Sequence, residues 1–406
     1  MTSIQEAVIV SGLRTPIGSY GKSLKNIAID ILVANLIDSL LRRSNIIANL
    51  IDGVILGHGY QNSYFPNTAR MAILKSSLPV TVPGLTVQRQ CASGLEAINL
   101  ACKEIMLDCN QILLAGGVES LSTVPYLIDS SIRFGGFWAK YVNKFGPRPV
   151  IFKMADDAIA PFKMIFDLKT VYMAGTAQRL ADTYQISRKQ ADEYALRSQE
   201  LALTAQKSGR LGIEIEPVVI PQHSLMTKDE HPRSTNMEKL SKLKPVLKTK
   251  AITAGNSSGI NDGACILAIT SKTTAHKHNL DILATYIDSK VVAVSPYQMG
   301  LGPVFAITKL LQSQNLTIND IDLWEINEAF ASQYLTCEKL LKLDRAKVNV
   351  NGGAIALGHP IGMSGARLLL TLAHELRLRN LKYGIASLCV GGGMGIATLI
   401  KNPSIT

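Results

Sequence analysis

The chain has few of the features that mark secreted, membrane-spanning or metal-binding proteins. Its 406 residues include six cysteines, with no Cys-x-x-Cys pair and no His/Cys group at zinc spacing, which argues against a disulfide framework and a zinc site. No apolar run approaches the roughly 20 residues that cross a bilayer. The opening "MTSIQEAVIVSGLRTP" enters strand-like apolar sequence at once, so no secretory signal is expected. We therefore expect free thiols in a reducing cytoplasm.

Acidic residues are also scarce relative to basic ones. The chain has 31 Asp+Glu and 42 Lys+Arg, a net charge of +11, and residues 121–260 carry 20 basic and 13 acidic residues, a net of +7. Either a solvated basic face or a site for a polyanionic ligand would explain this excess. Nucleic acid is not expected as a partner, because there is no recognised binding motif and no basic stripe interleaved with aromatics. The length and the 47% hydrophobic content indicate a globular chain of two or three domains.

Two parts of the sequence resemble each other. "VPGLTVQRQCASGLEAINLACKEI" followed by "NQILLAGGVES" corresponds to "VNVNGGAIALGHPIGMSGARLLLTLAHEL" followed by "KYGIASLCVGGGMG". Each is predicted to form a strand, a turn ending in Ser-Gly, an amphipathic helix and an apolar strand that ends in glycines. This similarity predicts an internal duplication into two α/β halves of strand–helix–strand type.

A segment of different character separates the halves. Residues 122–260 contain a stretch rich in aromatics, glycine and proline, and then a helical pattern in which Ser187 and Gln190 have capping-box spacing. We interpret this segment as an inserted loop domain that packs on the first half. The predicted domains are residues 1–121 completed by about 261–281, the insertion 122–260, and residues 282–406.

Three residues have positions suited to nucleophilic chemistry. Cys91 lies where a strand meets a helix, and a helix N-terminus stabilises a thiolate; a buried core cysteine is the alternative. Cys389 ends a strand just before a glycine run, where it could act as nucleophile or as acid/base. His359 lies in a glycine-rich turn that the duplication matches to the turn of Cys91. A Cys–His pair is the arrangement that acyl transfer through a thiol needs.

Two polar residues follow the strand in "WEINEAFASQ". Asn327 or Glu328 could orient a water molecule or the imidazole of His359. The alternative is that Asn327 caps the following helix.

At this point the motifs identify a resemblance to a known family. "CASGLEA", "AGGVES", "TAGNSSGINDGA", "NEAFA", "NVNGGAIALGHPIGMSGAR" and "CVGGGMG" occur in the order and spacing of the thiolases, and the similarity covers nearly the whole chain. It implies an α/β fold with two duplicated halves in five layers, α-β-α-β-α, and an inserted loop domain. It also implies the interconversion of 3-ketoacyl-CoA plus CoA with acetyl-CoA plus a shortened acyl-CoA.

The resemblance implies a role for each residue of the site. Cys91 would be the acylated nucleophile, and His359 would activate it and help to bind the oxygen of the second thioester. Asn327 would hold a water molecule in that second oxyanion hole, and Cys389 would be the acid/base at the α-carbon. The backbone amides of Cys91 and Gly391 would form the first oxyanion hole.

The resemblance also implies a binding site for CoA, which is a substrate, and no cofactor is expected. The expected binding residues are Tyr172, Met173, Arg233, Leu247, Ser258, Met299, Ala329 and Phe330. The sequence departs from the family pattern at Tyr172, where acetoacetyl-specific members often have histidine, and at Ala174 and Gln178, where glycine and glutamate are usual. The stretch 121–172 is longer than usual by about ten residues.

These departures bear on chain length and assembly rather than on chemistry. We expect an acetoacetyl-CoA thiolase in preference to a long-chain 3-ketoacyl-CoA thiolase, assembled as a homodimer or homotetramer. Two alternatives are a decarboxylating ketoacyl synthase, against which Cys389 argues, and a thiolase-like acyl-CoA or lipid-binding protein with little turnover.

Overall fold

The computed structural model describes residues 4–61, 64–125, 173–221 and 225–405. The strands are β1 (Ala7–Arg14), β2 (Gly18–Ser19), β3 (Gly53–His58), β4 (Gly84–Val87), β5 (Ile112–Ser120), β6 (Val218–Val219), β7 (Leu225–Met226), β8 (Asn261–Ser271), β9 (Ala284–Ala293), β10 (Leu323–Ile326), β11 (Tyr383–Val390) and β12 (Met394–Lys401). The helices are α1 (Ile29–Ser44), α2 (Thr68–Ile73), α3 (Ser93–Met106), α4 (Met173–Tyr184), α5 (Arg188–Lys207), α6 (Met237–Ser241), α7 (Lys272–Lys277), α8 (Gly302–Ser313), α9 (Ala331–Leu341), α10 (Ala354–Leu357) and α11 (Ile361–Leu378).

The order of the strands repeats in the two halves. It runs β10-β11-β12-β9-β1-β8-β5-β3-β4, and the halves meet through the antiparallel pairs Val8–Thr285 and Ile9–Ala284. Moving outward from that contact, each half has two antiparallel pairings and then a parallel one. The outermost strand β4 has a counterpart too, because Val348 bridges Trp324 in parallel. The predicted duplication is confirmed.

The strands and helices form five layers, and three large apolar clusters are buried between them. Helices α3 and α11 share one cluster with strands of both halves, and residues of this cluster include Ala97, Ile98, Leu113, Leu267, Leu368, Leu372, Leu388 and Ile396. Helix α1 packs on the outer face of the first half, and α8 and α9 pack on the outer face of the second. The layer order α-β-α-β-α predicted from the resemblance is confirmed.

The two central helices begin in direct contact with each other. A Cβ atom on Gly117 would lie 1.9 Å from the carbonyl oxygen of Gly362, and one on Gly94 would lie 2.5 Å from the same oxygen. No side chain fits at these distances, so glycine is required where α3, α11 and β5 meet. Because each helix follows a turn that carries a candidate catalytic residue, this contact brings Cys91 and His359 to the same place.

The described part of the inserted segment contacts both halves, more widely than the expected packing on the first half. The guanidinium of Arg14 in β1 pairs with Asp229 and Glu214 at 2.7 and 2.8 Å. Helix α5 packs on the second half, where the Tyr194 hydroxyl donates to Glu328 at 2.7 Å. The predicted capping box is present at the start of α5. Within the described residues, no helix is both long and apolar enough to span a membrane.

Replacing Gly117 should disturb the meeting point of the central helices. We expect Gly117→Ala to lower the free energy of unfolding by about 1–3 kcal/mol or more. The added methyl group would clash with backbone atoms of Gly362 and Gly94, which cannot move aside as a flexible side chain can. Thermal unfolding followed by circular dichroism measures the change. Gly212→Ala is the matched control, since nothing lies within 4 Å of a Cβ atom there. Equal melting temperatures for the two variants would contradict the importance of this contact.

Candidate active site

A cavity of about 200 Å³ lies where the two halves and the inserted segment meet. It gathers most of the residues singled out from the sequence, together with others that the sequence did not indicate. Its walls are formed by Tyr60, Gln90, Cys91, Leu121, Met173, Ser258, Gly259, Ile260, Met299, Ala329, Phe330, His359, Ile361, Cys389 and Gly391.

Cys91 occupies a tight turn between β4 and α3. The preceding residue, Gln90, has a left-handed φ of 45°, which is costly for a residue with a side chain and is often found at functional sites. The turn is held by Ser93, whose hydroxyl donates to the Gln90 carbonyl at 2.7 Å and accepts from the Arg89 amide at 2.8 Å. The turn therefore presents the Cys91 thiol at the cavity wall, two residues before the helix begins.

The surroundings of Cys91 keep its sulfur protonated in the resting protein. Burial raises the pKa of the Cys91 thiol to about 11. The backbone amides of Gly391 and of Cys91 itself are directed at the sulfur and oppose this rise, whereas the charge of Glu119 adds to it. A base is therefore needed to generate the nucleophile at neutral pH. The two amides also converge where an oxyanion beside this sulfur would form.

His359 is held with its Nε2 atom as a hydrogen-bond acceptor. The Ser364 hydroxyl donates its proton to the Pro360 carbonyl at 2.7 Å, so it must accept from His359 Nδ1, which lies 2.6 Å away. Burial, followed by the charge of Arg367, lowers the pKa of the imidazole to about 4. The resting imidazole is therefore neutral, with an unprotonated Nε2 that can accept a proton.

The glycine before His359 is needed for the path of the backbone. Gly358 has a φ of +106°, and a Cβ atom there would lie 2.5 Å from Cγ of Asn261. That close approach lets the Asn261 side chain accept from the His359 amide at 3.0 Å. The glycine-rich turn thus holds the imidazole in place.

Asn327 stands beside the imidazole. Its side-chain Nδ2 atom lies 3.4 Å from His359 Nε2. Its backbone N–H donates to the Ser387 carbonyl at 2.9 Å. Its Oδ1 atom is buried and has no partner among the described residues, so it is available to accept a hydrogen bond from a bound water molecule or ligand. Asn327 does not cap α9, whose N-cap is Phe330.

Glu328 does not take part in the cavity. Its carboxylate accepts from Tyr194 and Ser198 of α5, both at 2.7 Å, and from the side chain of Asn349 at 3.0 Å. A Cβ atom on Gly353 would lie 2.2 Å from its carboxyl carbon. Glu328 therefore anchors the inserted segment to the second half.

Cys389 faces the same cavity from strand β11. It is 1% exposed and clusters with Met299 and Ala329, against which Met173 and Phe330 pack. Burial, and then the nearby thiol groups of Cys91 and Cys337, raise its pKa well above the ordinary value. The cavity thus has a second protonated thiol in an apolar wall.

The residues predicted to bind CoA fall into two groups. Met173, Ser258, Met299, Ala329 and Phe330 line the cavity, and the Ser258 amide donates to the Ala329 carbonyl at 3.0 Å. Two others do not line it, since Arg233 is exposed and Leu247 is 67% exposed. Tyr172 lies outside the described residues. Of the departures from the family pattern, Gln178 accepts from the amides of Lys250 and Ala251, both at 2.8 Å, and Ala174 is buried.

The side of the cavity near Gly259 is electropositive. The imidazole of His231 is so close that a Cβ atom on Gly259 would lie 2.4 Å from its Cε1. Burial and the charges of Arg233 and Lys22 lower the pKa of His231 to about 4. Within the described ranges Arg233 forms no ion pair; its guanidinium contacts the Ala254 carbonyl at 3.4 Å.

Sequence reasoning missed the residues that orient the others. Ser364 and Asn261 hold His359, and Glu119 accepts from the amides of Gly59 and Gly362 at 3.0 and 2.9 Å. Ser364 was matched only as part of the repeat, although it stands in the first turn of the helix after His359. Asn261 is distant in sequence, so no local signal indicates it.

Comparisons with known proteins agree with this architecture. Residues 7–273 match the family model described as thiolase, N-terminal domain, and residues 280–402 match thiolase, C-terminal domain. A probable acetyl-CoA acyltransferase of Staphylococcus aureus is 42% identical over 401 residues, which is 97% of this chain and 98% of that protein. The protein of the same description from Staphylococcus epidermidis is 42% identical over 400 residues, with the same coverage of both chains.

Solved structures of similar sequence have the same fold. The Bacillus anthracis acetyl-CoA acetyltransferase gives a TM-score of 0.91 at 40% identity, covering 99% of this chain and 100% of that one. The human mitochondrial 3-ketoacyl-CoA thiolase in complex with CoA gives 0.90 at 38% identity and covers both chains fully. With two matched domains, a duplicated five-layer fold and paired thiols facing a histidine, this chain belongs to the thiolase family.

Proposed function

We propose that this chain is a CoA-dependent acyltransferase that catalyses the reversible thiolysis of 3-ketoacyl-CoA through an acyl-cysteine intermediate. The observation that carries the proposal is one cavity with two thiols, Cys91 and Cys389, a neutral imidazole and two backbone amides directed at the Cys91 sulfur. The similar proteins named acetyl-CoA acyltransferase and thiolase support the same reaction class. The proposed chemistry uses side chains and amides of this chain, with CoA as a substrate and no resident cofactor.

In the first half-reaction, Cys91 attacks the 3-keto carbon of the substrate. His359 Nε2 takes the thiol proton, and the amides of Cys91 and Gly391 donate to the oxyanion that forms. The bond between C2 and C3 then breaks and leaves an acyl group on Cys91. The departing enolate of acetyl-CoA takes a proton from the Cys389 thiol, and its oxygen lies by Asn327 Nδ2 and the newly protonated His359 Nε2.

In the second half-reaction, CoA regenerates the enzyme. The Cys389 thiolate takes the proton of the CoA thiol, and the CoA sulfur attacks the acyl group on Cys91. The Cys91 thiolate leaves and recovers its proton from His359. Condensation of two acetyl-CoA molecules is the same sequence in reverse.

The electropositive side of the cavity supports the binding of CoA. The positive charges of Lys22 and Arg233 lie there beside the neutral imidazole of His231, and the phosphates of CoA are polyanionic. We infer that Arg233 binds near these phosphates and that Leu247 and Tyr172 contribute to the same ligand site. The basic excess of residues 121–260 fits this reading better than a merely solvated face.

We propose that short acyl groups are the preferred occupants of the cavity. The volume of about 200 Å³ is bounded by bulky side chains, among them Tyr60, Leu121, Met173, Met299 and Phe330. These walls support acetoacetyl-CoA as the preferred substrate over long-chain 3-ketoacyl-CoA.

We also propose that the protein is a homodimer or homotetramer that works in the cytoplasm. Strand β4 ends the described sheet, and an open strand edge favours pairing with another chain. Apolar side chains surround this edge, with Leu85 exposed by 47%, Leu74 by 51% and Val80 by 69%. All six cysteines are unpaired, as is usual in a reducing compartment.

Thiolysis assays across acyl lengths test the activity directly. We expect the purified protein to consume acetoacetyl-CoA when CoA is added, with rates that fall as the acyl chain lengthens towards sixteen carbons. Cys91→Ser should abolish turnover and the acyl adduct on Cys91 that mass spectrometry detects, whereas Cys109→Ser, at an exposed site away from the cavity, should retain both.

Each other outcome identifies a different function. Faster cleavage of long-chain 3-ketoacyl-CoA than of acetoacetyl-CoA would refute the proposed preference for short acyl chains. Release of carbon dioxide from malonyl-CoA without thiolysis would indicate a decarboxylating ketoacyl synthase. CoA binding with no turnover and no acyl adduct would leave a binding protein.

Removing the hydroxyl of Ser364 should impair the imidazole without removing it. In Ser364→Ala, the N–H of His359 Nδ1 loses its acceptor, so the imidazole proton can move to Nε2. A protonated Nε2 cannot accept the proton of the Cys91 thiol. We expect kcat for thiolysis to fall by about 10²-fold, at the lower end of general-base effects. Ser332→Ala, another buried serine that bonds a backbone carbonyl, is the control. Unchanged kcat in Ser364→Ala would refute the assigned tautomer.

Charging the edge of β4 should dissociate the assembly. We expect Leu85→Asp to convert an oligomer into a monomer in size-exclusion chromatography with light scattering, because the carboxylate would be buried at the interface. Leu107→Asp, at a similarly exposed leucine (69%) beyond the end of α3, is the control. A native protein that is monomeric at micromolar concentration would refute the interface.

A further inference from the structure

A buried ion pair lies outside the cavity walls and has no part in the proposed mechanism. Arg367 of α11 and Glu325 of β10 have side chains that are 1% and 2% exposed, and Arg367 Nη1 donates to Glu325 Oε2 at 2.9 Å. A buried ion pair loses about as much hydration energy as its attraction returns, and an apolar pair of similar volume is often equally stable. Stability alone therefore does not explain why charged residues occupy these positions.

The pair joins the two segments that hold the candidate oxygen-binding groups. Glu325 lies in β10, and Asn327 follows the last residue of that strand, two positions further along the chain. Arg367 follows Ser364 by three residues in α11, so the two share a helix face. The ion pair thus connects the strand that leads to Asn327 with the helix whose first turn holds Ser364, the acceptor from His359.

Arg367 also acts on the imidazole through its charge. Its Nη2 atom is buried and has no partner among the described residues, and a guanidinium stays protonated in proteins. Burial raises the pKa of Glu325, and the charge of Arg367 opposes that rise. After burial, the charge of Arg367 is the cause that lowers the pKa of His359.

Other titratable groups near His359 come from the neighbouring elements. Cys91 faces it from the β4–α3 turn and Cys389 from β11, and both are neutral thiols in the resting protein. Glu119 of β5 accepts from the Gly362 amide in the first turn of α11. The neighbours from β8 and from the end of β10, Asn261 and Asn327, do not titrate.

We propose that Arg367 is a positioning residue of the acyl-transfer site: paired with Glu325, it fixes α11, which carries Ser364, against the strand that leads to Asn327, and it keeps a permanent positive charge near the imidazole. This inference rests on the proposed function, since it assigns Arg367 to the activation of Cys91. The charge keeps the resting imidazole neutral, ready to accept the thiol proton. Once the reaction begins, the same charge favours the anionic oxygen that forms beside Asn327.

The titration of His359 tests this proposal without needing turnover. Its midpoint is measured by NMR on protein with isotope-labelled histidine, and the signal is assigned by its absence from His359→Asn. In R367M we expect the midpoint to rise by about one pH unit, because a like charge has been removed. R367K should stay close to the native value, since it restores the charge.

The control is a second ion pair that involves the same helix. Arg210 pairs with Glu375 of α11, eleven residues beyond Ser364, and it is not among the causes that shift His359. Arg210→Met should therefore leave the His359 midpoint unchanged. If Arg367 had a purely structural role, R367M would lower the stability of the protein but leave the His359 midpoint of the folded protein unchanged.

Two further measurements distinguish a variant that does not fold from an error in this inference and from an error in the proposed function. If R367M does not fold, the double variant R367M/E325M leaves no unpaired buried charge, and its His359 midpoint should also rise. In thiolysis, R367M should lower kcat by about tenfold or more while KM changes little, and R367K should recover most of it. An unmoved midpoint in both Met variants overturns this inference, even in an active thiolase. A chain with no thiolase activity refutes the proposed function instead.

Discussion

The site depends on the close contact between the first turns of the two central helices. At Gly94, Gly117 and Gly362 the backbones of α3, α11 and β5 approach more closely than any side chain allows. The chain reverses into each helix through a turn, and each turn carries one reactive group. Bringing the helix starts together therefore brings the Cys91 thiol and the His359 imidazole to one cavity, although they lie 268 positions apart in the sequence.

Around this contact the polar groups are oriented by hydrogen bonds that cross between the halves. Asn261 of the first half accepts from the His359 amide, and Glu119 of the first half accepts from the Gly362 amide at the start of α11. These bonds are shielded from water, where a satisfied polar network is rigid and an unsatisfied one is costly. The positions of the candidate catalytic groups are thus set by the contact between the duplicated halves rather than by either half alone.

Burial keeps the reactive groups of the resting site uncharged. It raises the pKa values of the Cys91 and Cys389 thiols and lowers that of the His359 imidazole. In the proposed reaction, charge appears only as protons move, and it then meets amides that already point to the right place. Such preorganised donors need no rearrangement during the reaction and are worth more in a dry cavity than in water.

The sequence predicted the parts of this protein that local patterns encode. The repeat of strand, Ser-Gly turn and helix predicted the duplication, and the spacing of Ser187 and Gln190 predicted a helix cap, because both depend on residues close in the chain. Cys91, His359, Asn327 and Cys389 were likewise recognised from motifs, each at the end of a strand or the start of a helix.

Tertiary structure decided what depends on distant partners. Glu328 follows Asn327 directly, yet it faces α5 and not the cavity, because the side chains of consecutive residues point in different directions. The tautomer of His359 follows from Ser364 and Pro360, and the neutrality of its imidazole from burial and from Arg367. The sequence by itself determined which residues could react. The packing of the two halves decided their distances, protonation and partners, since those arise from contacts between segments far apart in the chain.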